Sequence, residues 1–500
     1  MKKKVILFLF TIIWMSFIGN SPLASASVNE TSGHIEIVNT DFGALSNVLD
    51  QYSDVEVNTM AVSGVMDESD FRTLYAFIRS KGVESLDLGS CDAKDGIIPD
   101  YAFFDPQIQG VTGEDVQILP LSYLVLPGNS RTIGQNALSY LRLQDFSLPG
   151  QIATLDNNAF VGFDLQGGNL VLPESVTSLG CMSLGLMRNI GTLHVPQSVT
   201  YMDEDVFAFS KIGSVVLADG LTFIGERAFI QTDIVQISIP ASVTSLGQSA
   251  FSGCTAKKIV IGDGVKSIPQ FCFFNCAELK EVILGANVEE IHTMSFENTP
   301  VLSSIALPKN MKIVYAHSFT NSGLHSVKIE SAETVLRPTS FATLNKNLTD
   351  IYCFSAKPPT IYEEGLGMAF CDTSDEEWNN YVCRDINVHV PKGCSDKYRS
   401  TMGWNWFSNM IDDINISEGL ATTQTDKLSI EKTFNTIAAV ADGDAVVTIE
   451  IIGIDGAKRA TAAGRGQAAA DLTQLAPGVY VVRASDGSNV KTAKIMINYE

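Results

Sequence analysis

The sequence predicts a mostly β chain: a right-handed solenoid behind a short helical N-terminal cap, followed by a small C-terminal β-sandwich. Three observations carry this. One phrase recurs through the middle of the chain. Two independent markers within that phrase advance in step. The composition then changes after Asp413. Five hundred residues exceed what one ordinary core needs and point to several units. An apolar fraction of 45% is that of a globular chain.

Residues 1–26 read as a secretory signal. Lys2-Lys3-Lys4 is a basic start, Val5–Ile18 is an apolar run, and Ala24-Ser25-Ala26 fits a small-x-small cleavage pattern, with the cut expected after Ala26. No later stretch approaches the length of a membrane span, so no span is expected once the signal is removed. The expected location is secreted or on the cell surface. The chain carries 34 Lys and Arg against 56 Asp and Glu, a net charge of −22. Losing three lysines with the signal takes it to −25. Such a surface argues against nucleic acid or anionic lipid as partner, since phosphate binding needs a basic footprint.

Residues 27–80 do not repeat and are read as the cap. Asp67-Glu68-Ser69-Asp70 ahead of Phe71, Leu74 and Ile78 predicts a helix that Gly82 ends. Phe42, Leu45 and Leu49 predict a shorter one over 42–52. Such a cap would cover the apolar face of the first repeat.

Residues 81–415 are the predicted solenoid, of about 12 turns. The phrase is plainest at Thr232–Cys254, TDIVQISIPASVTSLGQSAFSGC. Strand closers fall at Pro127, Pro149, Pro173, Pro196, Ala218, Pro240, Gly262, Gly285, Pro308 and Glu330. An aromatic slot falls at Leu138, Phe160, Leu184, Phe207, Phe229, Phe251, Phe273, Phe296, Phe319 and Phe341. Both series step by 22 to 24 residues, with the same step each time. A period near 23 is that of leucine-rich-repeat-like solenoids. Pairs such as Leu193/Val195, Ile237/Ile239 and Ile305/Leu307 are expected to point inward from a parallel sheet, with the Phe slot forming a spine. Period two leaves Val235, Ile237 and Ile239 all as inward candidates in one turn. Proline stops each strand because it cannot donate to a continuing ladder. Gly134, Gly180, Gly225 and Gly247 recur before the Ala-Phe turn, as expected of a backbone conformation that suits a residue without a Cβ.

Ile237–Phe251, Leu170–Leu184 and Val215–Phe229 resemble the BspA-type leucine-rich repeat of bacterial surface proteins. Val62–Asp67 with Asp70-Phe71 resembles the entry segment of that family, and Ile98–Phe103 its first repeat. Ile351–Phe354, Val388–Pro391, Tyr398, Gly403-Trp404 and Phe407 are similar to its terminal repeats. The likeness covers roughly residues 55–415. The acidic stretch Asp372–Trp378 departs from it and is expected to bulge from the solenoid. The resemblance implies a non-enzymatic, adhesin-like surface protein that binds host, matrix or cell-surface proteins through the repeat face.

Residues 421–500 hold no Cys or Trp, and eight basic against nine acidic residues. Strand-like runs alternate with turns, which predicts an antiparallel sandwich. Leu475-x-x-Gly478-Val479-Tyr480 followed by Lys494–Ile497 resembles a type IX secretion sorting domain. That resemblance implies recognition by an outer-membrane exporter.

No catalytic constellation is found, so no enzyme activity, cofactor or metal is expected. Gly464–Ala469 mimics a dinucleotide turn but lacks a following helix. Asp203-Glu204-Asp205, Asp442-Gly443-Asp444 and the acids after Asp372 lack the ligand spacing of a cation loop. His292 and His317 come from adjacent repeats and are weighed as a pair. The nine cysteines form no disulfide framework and read as buried thiols, with one or two disulfides as the alternative. The candidate partner face is the residue between the two inward ones: Val125, Ser147, Val171, His194, Val216, Ser238, Val260, Ile283, Ala306 and Lys328. Six of these ten are apolar, which marks a protein-binding ribbon. The second reading is a glycan binder that stacks sugars on Trp378 and Trp406. Trp404 and Phe407 are expected to close the solenoid.

Overall fold

A computed structural model describes residues 25–29, 33–108, 119–342, 347–362, 369–370, 383 and 385–415, and the strands between 428 and 497 with Leu475. Residues 1–24 of the expected signal and the insertion Asp372–Trp378 lie outside the described residues. The chain divides into two compact units, one up to Asn415 and one from Ile416.

The first unit is a solenoid of about 15 turns. Its main face consists of the parallel strands His34–Asn39, Thr59–Met66, Ser85–Ala93, Tyr123–Val125, Leu170–Val171, Ile190–Val195, Ile212–Leu217, Gln236–Ile239, Lys258–Ile261, Glu281–Ile283, Ser304–Leu307, Ser326–Ile329, Asp350–Cys353, Asn387–Pro391 and Asn409–Ile414. A second face is a row of two-residue strands, from Ile97–Ile98 to Thr360–Ile361, paired in parallel in three runs that end at Ser178–Leu179, Ser245–Leu246 and Thr360–Ile361. Inward residues stack in register: Ile237 on Ile259 on Val282, and Ile305 on Val327 on Ile351 on Val388. All seven are buried.

The phenylalanine slot forms the spine. Successive rings from Phe207 through Phe229, Phe251, Phe273, Phe296, Phe319 and Phe341 stack with centroids 4.9–5.5 Å apart. Phe370 continues the stack at 5.4 Å from Phe341. Every one of these rings is buried, and offset stacking adds about 0.5–1.5 kcal/mol per pair to the burial term. At the far end Phe407 meets Phe370 edge-on at 5.5 Å. Trp404 is fully buried beside it and donates Nε1–H to Pro359 O at 2.7 Å. That bond lets a large indole close an apolar end without an orphaned donor.

The sequence expectation needs four corrections. The turn count rises from 12 to about 15 because the Pro and Phe markers fade at both ends, while the strands continue. The region expected as a helical cap does hold helices over Leu45–Leu49 and Glu68–Lys81, the second with an Asp67/Asp70 capping box and Gly82 at φ 76°. It also holds two strands, His34–Asn39 and Thr59–Met66, that join the main sheet, and an antiparallel strand Ser25–Asn29 covers their edge. Phe42 lies outside the short helix and is exposed. Val235 is exposed rather than inward: the chain bends after Asp233, Ile234 takes the buried place, and the strand starts at Gln236.

The fourth correction concerns the glycine column. None of Gly134, Gly180, Gly225 and Gly247 has positive φ. Their constraint is close approach: a Cβ on Gly247 would lie 2.3 Å from the Glu226 backbone nitrogen and 2.5 Å from the Gly225 carbonyl carbon. The left-handed position comes two residues later and is held by side-chain-bearing residues, among them Asn158, Asp205, Arg227, Ser249 and His317, with φ between 53° and 59°. A second left-handed position follows each spine residue by two, at Phe209, Gln231, Asn275, Asn298 and Asn321. There the last three asparagines bond side chain to side chain, Asn298 to Asn275 at 2.8 Å and Asn321 to Asn298 at 3.0 Å. Asparagine tolerates this conformation better than most residues.

The second unit has two antiparallel sheets. One holds Leu428–Lys432, Thr436–Ala441 and Gln467–Asp471; the other holds Lys458–Arg465, Val446–Gly453, Gly478–Ser485 and Val490–Ile497. Its core includes Ile437, Val447, Ile449, Ile451, Tyr480 and Val482. Gly464 and Arg465 end one strand and Gln467–Ala469 start the next, so the described residues of the Gly464–Ala469 motif lie in strands.

The two backbone positions make opposite predictions. Gly247→Ala should cost about 1–3 kcal/mol, because a methyl is forced against the neighbouring backbone. Ser249→Gly should be neutral within about 0.5 kcal/mol or stabilising, because relief of left-handed strain offsets the entropy of glycine. Urea unfolding of the two variants measures both. Wild-type stability of Gly247→Ala would contradict the close approach.

Candidate partner-binding face

The outward residue of most main-face strands lies between two inward ones, buried or, as at Leu217 and Leu284, half-buried, because side chains alternate across a pleated strand. Parallel register then lines these residues up across the turns. Val171, His194 and Val216 are successive partners, as are Ser238, Val260 and Ile283. Ala306 and Lys328 continue in the same register to Tyr352, His389 and Ile411. At the front the column runs back through Val125 to Asp87, Ala61 and Glu36.

The apolar members are open to solvent. Val171 is 61% exposed, Val125 49%, Ile283 44% and Val216 43%, while Val260 is half-buried. Ser147, His194, Ser238, Ala306 and Lys328 are exposed as well. A flanking column is polar, with Gln236, Lys258, Glu281, Ser304, Ser326, Asp350, Asn387 and Asn409 in register. Lys258 and Glu281 pair across it at 2.9 Å. An apolar line beside a polar border is the layout of a protein-binding patch.

The C-terminal end of the column has its own chemistry. His389 stacks on Tyr352 with centroids 4.4 Å apart. Its Nδ1 lies 2.8 Å from Asp413 Oδ2 and its Nε2 lies 3.1 Å from Asp350 Oδ1. Burial acts to raise the pKa of Asp350, but hydrogen bonds from Thr349, Asn387 and His389 outweigh it and hold the carboxyl below its usual range. Tyr352 and Ile411 carry no mark of this position in the sequence, whereas His389 does. The signal was the shared position of His194 and His389, one residue before Val-Pro.

Other candidates separate. Trp406 packs partly against the core, Trp404 is inside it, and Trp378 lies outside the described residues. His292 stacks on Tyr315 at 4.7 Å and meets Glu290 at 3.1 Å, whereas His317 faces Thr320 and Thr339. The two histidines serve different contacts. In Asp203-Glu204-Asp205, Arg227 pairs with Asp205 at 2.7 Å and with Glu204 at 3.3 Å. Asp442-Gly443-Asp444 lies outside the described residues. Among the described residues no group of three or more His, Cys, Asp or Glu is placed to hold a metal ion, and no helix is long and apolar enough to cross a membrane.

The chain is similar in structure to a leucine-rich repeat protein from Bacteroides ovatus, at 16% identity over 68% of this chain and 95% of the other, with a TM-score of 0.43. It is similar to the pneumococcal vaccine antigen PcpA at 15% identity, over 72% of this chain and 80% of that one, with a TM-score of 0.35. A leucine rich cell surface protein from Faecalibacterium prausnitzii is 14% identical over 70% of this chain and 98% of that one, with a TM-score of 0.24. No curated protein matches the chain. The family model of the BspA type leucine rich repeat region, in six copies, matches residues 117–234 and 222–349. The strands, spine and outward column built above fall largely within those residues, over which the chain is similar to the BspA type leucine rich repeat region.

Proposed function

We propose that this chain is an exported, non-enzymatic binding protein that captures a protein partner on the outward column of its repeat sheet. The observation that carries the reading is the exposed apolar line Val125, Val171, Val216 and Ile283, with Val260 half-buried between the last two. β-Propensity explains a branched residue at any one of these places. It does not require solvent-exposed valines to recur along one register with polar residues beside them. The basic and apolar start of the chain supports export, and the net charge of −22 favours a protein or neutral partner over nucleic acid. In this reading the protein is adhesin-like, displayed at the cell surface, and engages host extracellular or bacterial surface proteins. The antiparallel unit at the C-terminus serves as a type IX sorting signal. Its support is the Leu475–Tyr480 pattern, within which Tyr480 is buried in that unit's core.

Val171→Glu, Val216→Glu and Val260→Glu, made together, test the face. Binding of the mature chain to arrays of host extracellular proteins, bacterial surface proteins and glycans should fall at least about tenfold on the protein spots, as expected for a loss of about 1.4 kcal/mol or more. Circular dichroism should be unchanged, because none of the three side chains is in the core. Undiminished capture by a folded variant would remove the column from consideration. Signal confined to glycans and abolished by Trp406→Ala would favour sugar stacking instead.

Removal of residues 425–500 tests the sorting role. The truncated chain should accumulate inside the outer membrane, as read by cell fractionation and surface proteolysis. Unchanged surface location would exclude it.

A further inference from the structure

Three residues after each spine position, a buried column holds Ser210, Thr232, Cys254, Cys276, Thr299 and Ser322. In several turns this residue donates to a nearby backbone carbonyl. Ser210 Oγ–H reaches Leu184 O at 2.8 Å, Thr232 Oγ1–H reaches Phe207 O at 2.9 Å, and Thr299 Oγ1–H reaches Phe296 O at 2.8 Å. Cys276 takes the same place as Thr232, with its thiol 3.1 Å from Phe251 O. Two consecutive turns therefore use a thiol where their neighbours use a hydroxyl. As a result Cys254 Sγ and Cys276 Sγ lie 3.6 Å apart in the interior.

A hydroxyl would satisfy the carbonyl at least as well, since S–H is a weak donor. What the cysteines add is chemistry with each other. They sit 22 residues apart, one turn on the next. The rings of Phe251 and Phe273, three residues before each cysteine, stack with centroids 5.5 Å apart, which sets the spacing of the two turns here. That spacing falls inside the Cα separation of about 4.4–6.8 Å that a disulfide spans without moving backbone. Rotation about the two side chains closes the remaining gap between the sulfurs.

We propose that Cys254 and Cys276 are an oxidisable pair that bonds successive turns of the solenoid when the chain folds in an oxidising compartment. Both S–H bonds break and one S–S bond forms. The two protons and two electrons pass to a small disulfide such as oxidised glutathione, whose own S–S bond breaks to give two thiols. Both cysteines are buried in the folded chain, so the bond forms as the two turns dock, before the interior closes. Cys272, also buried nearby, occupies the position before Phe273 rather than the paired column, where the neighbouring turns carry Ala250 and Ser295 and offer no second thiol. It stays reduced.

The test folds the full chain in a glutathione redox buffer, blocks free thiols with an alkylating agent under denaturing conditions, and cleaves after Lys and Arg. Cys254 then lies in residues 228–257, and Cys272 and Cys276 lie together in residues 267–280. The expected product is these two peptides joined, about 2 Da lighter than their sum, with the alkyl group on Cys272. A companion variant, Cys254→Thr with Cys276→Thr, restores the hydroxyl column and should fold under both conditions. Reductant should lower the Tm of the wild type and leave that of the variant unchanged. Separate peptides with Cys254 and Cys276 both alkylated, or a link through Cys272, would overturn the pairing.

Discussion

Everything in the first unit depends on one turn stacking on the next. A single turn carries two inward strand residues, a short apolar pair on the second face and one aromatic ring. That is too little to be buried alone. Stacking supplies the missing neighbours three times over. It pairs the main strands, pairs the short strands, and lays Phe229 on Phe251 with planes 4° apart. Regular stacking also needs each turn to reverse at the same places. The two left-handed residues per turn do this, and near the middle of the solenoid an asparagine ladder over Asn275, Asn298 and Asn321 fixes one of them from turn to turn. Such an architecture is quasi-one-dimensional, because each turn touches only its neighbours. Its ends are then the exposed points. Trp404, Phe407 and Tyr398 close one end, and Tyr398 O–H is satisfied by Ser355 O at 2.8 Å.

Much of this could be read from the residues, for a physical reason. The contacts that build a solenoid are short-range repeats, so the same demand leaves the same residue every 22 to 24 positions. Pro240 and Phe251 are legible because their neighbours in space are also their equivalents in sequence. Legibility fails where the demand changes. His34–Asn39 and Thr59–Met66 are ordinary turns of the main sheet, yet they carry neither the proline nor the aromatic marker. Gly247 marked a real constraint, but its cause was the neighbouring backbone and not its own φ. Left-handed positions were invisible because Arg227, Ser249, Phe271 and His317 share no side-chain property. The three-dimensional nearness of Cys254 and Cys276 needed the stacking register, not the spacing alone.

The same logic separates structure from function. Inward residues are nearly interchangeable aliphatics, held by the need to fill a narrow interior. The outward column is freed from that need and varies from Val171 to His194 to Ser238 to Lys328. Its members are set side by side by the register that stacks the core. In the proposed reading, partner recognition rides on the packing without contributing to it, which is why changes there should spare the fold. Tyr352 and His389 mark where the column turns from apolar to ionic, with Asp350 and Asp413 holding the ring between them.

The central claim is that stability passes from turn to turn through contacts such as the aromatic spine. Double-mutant cycles with Phe→Leu substitutions test it most directly. Phe229 and Phe251, with centroids 5.0 Å apart, should show a coupling of about 0.5–1.5 kcal/mol in urea unfolding. Phe229 and Phe319 do not touch, and their effects should add within about 0.5 kcal/mol. Additive behaviour for the stacked pair, or equal coupling for the distant one, would contradict the account.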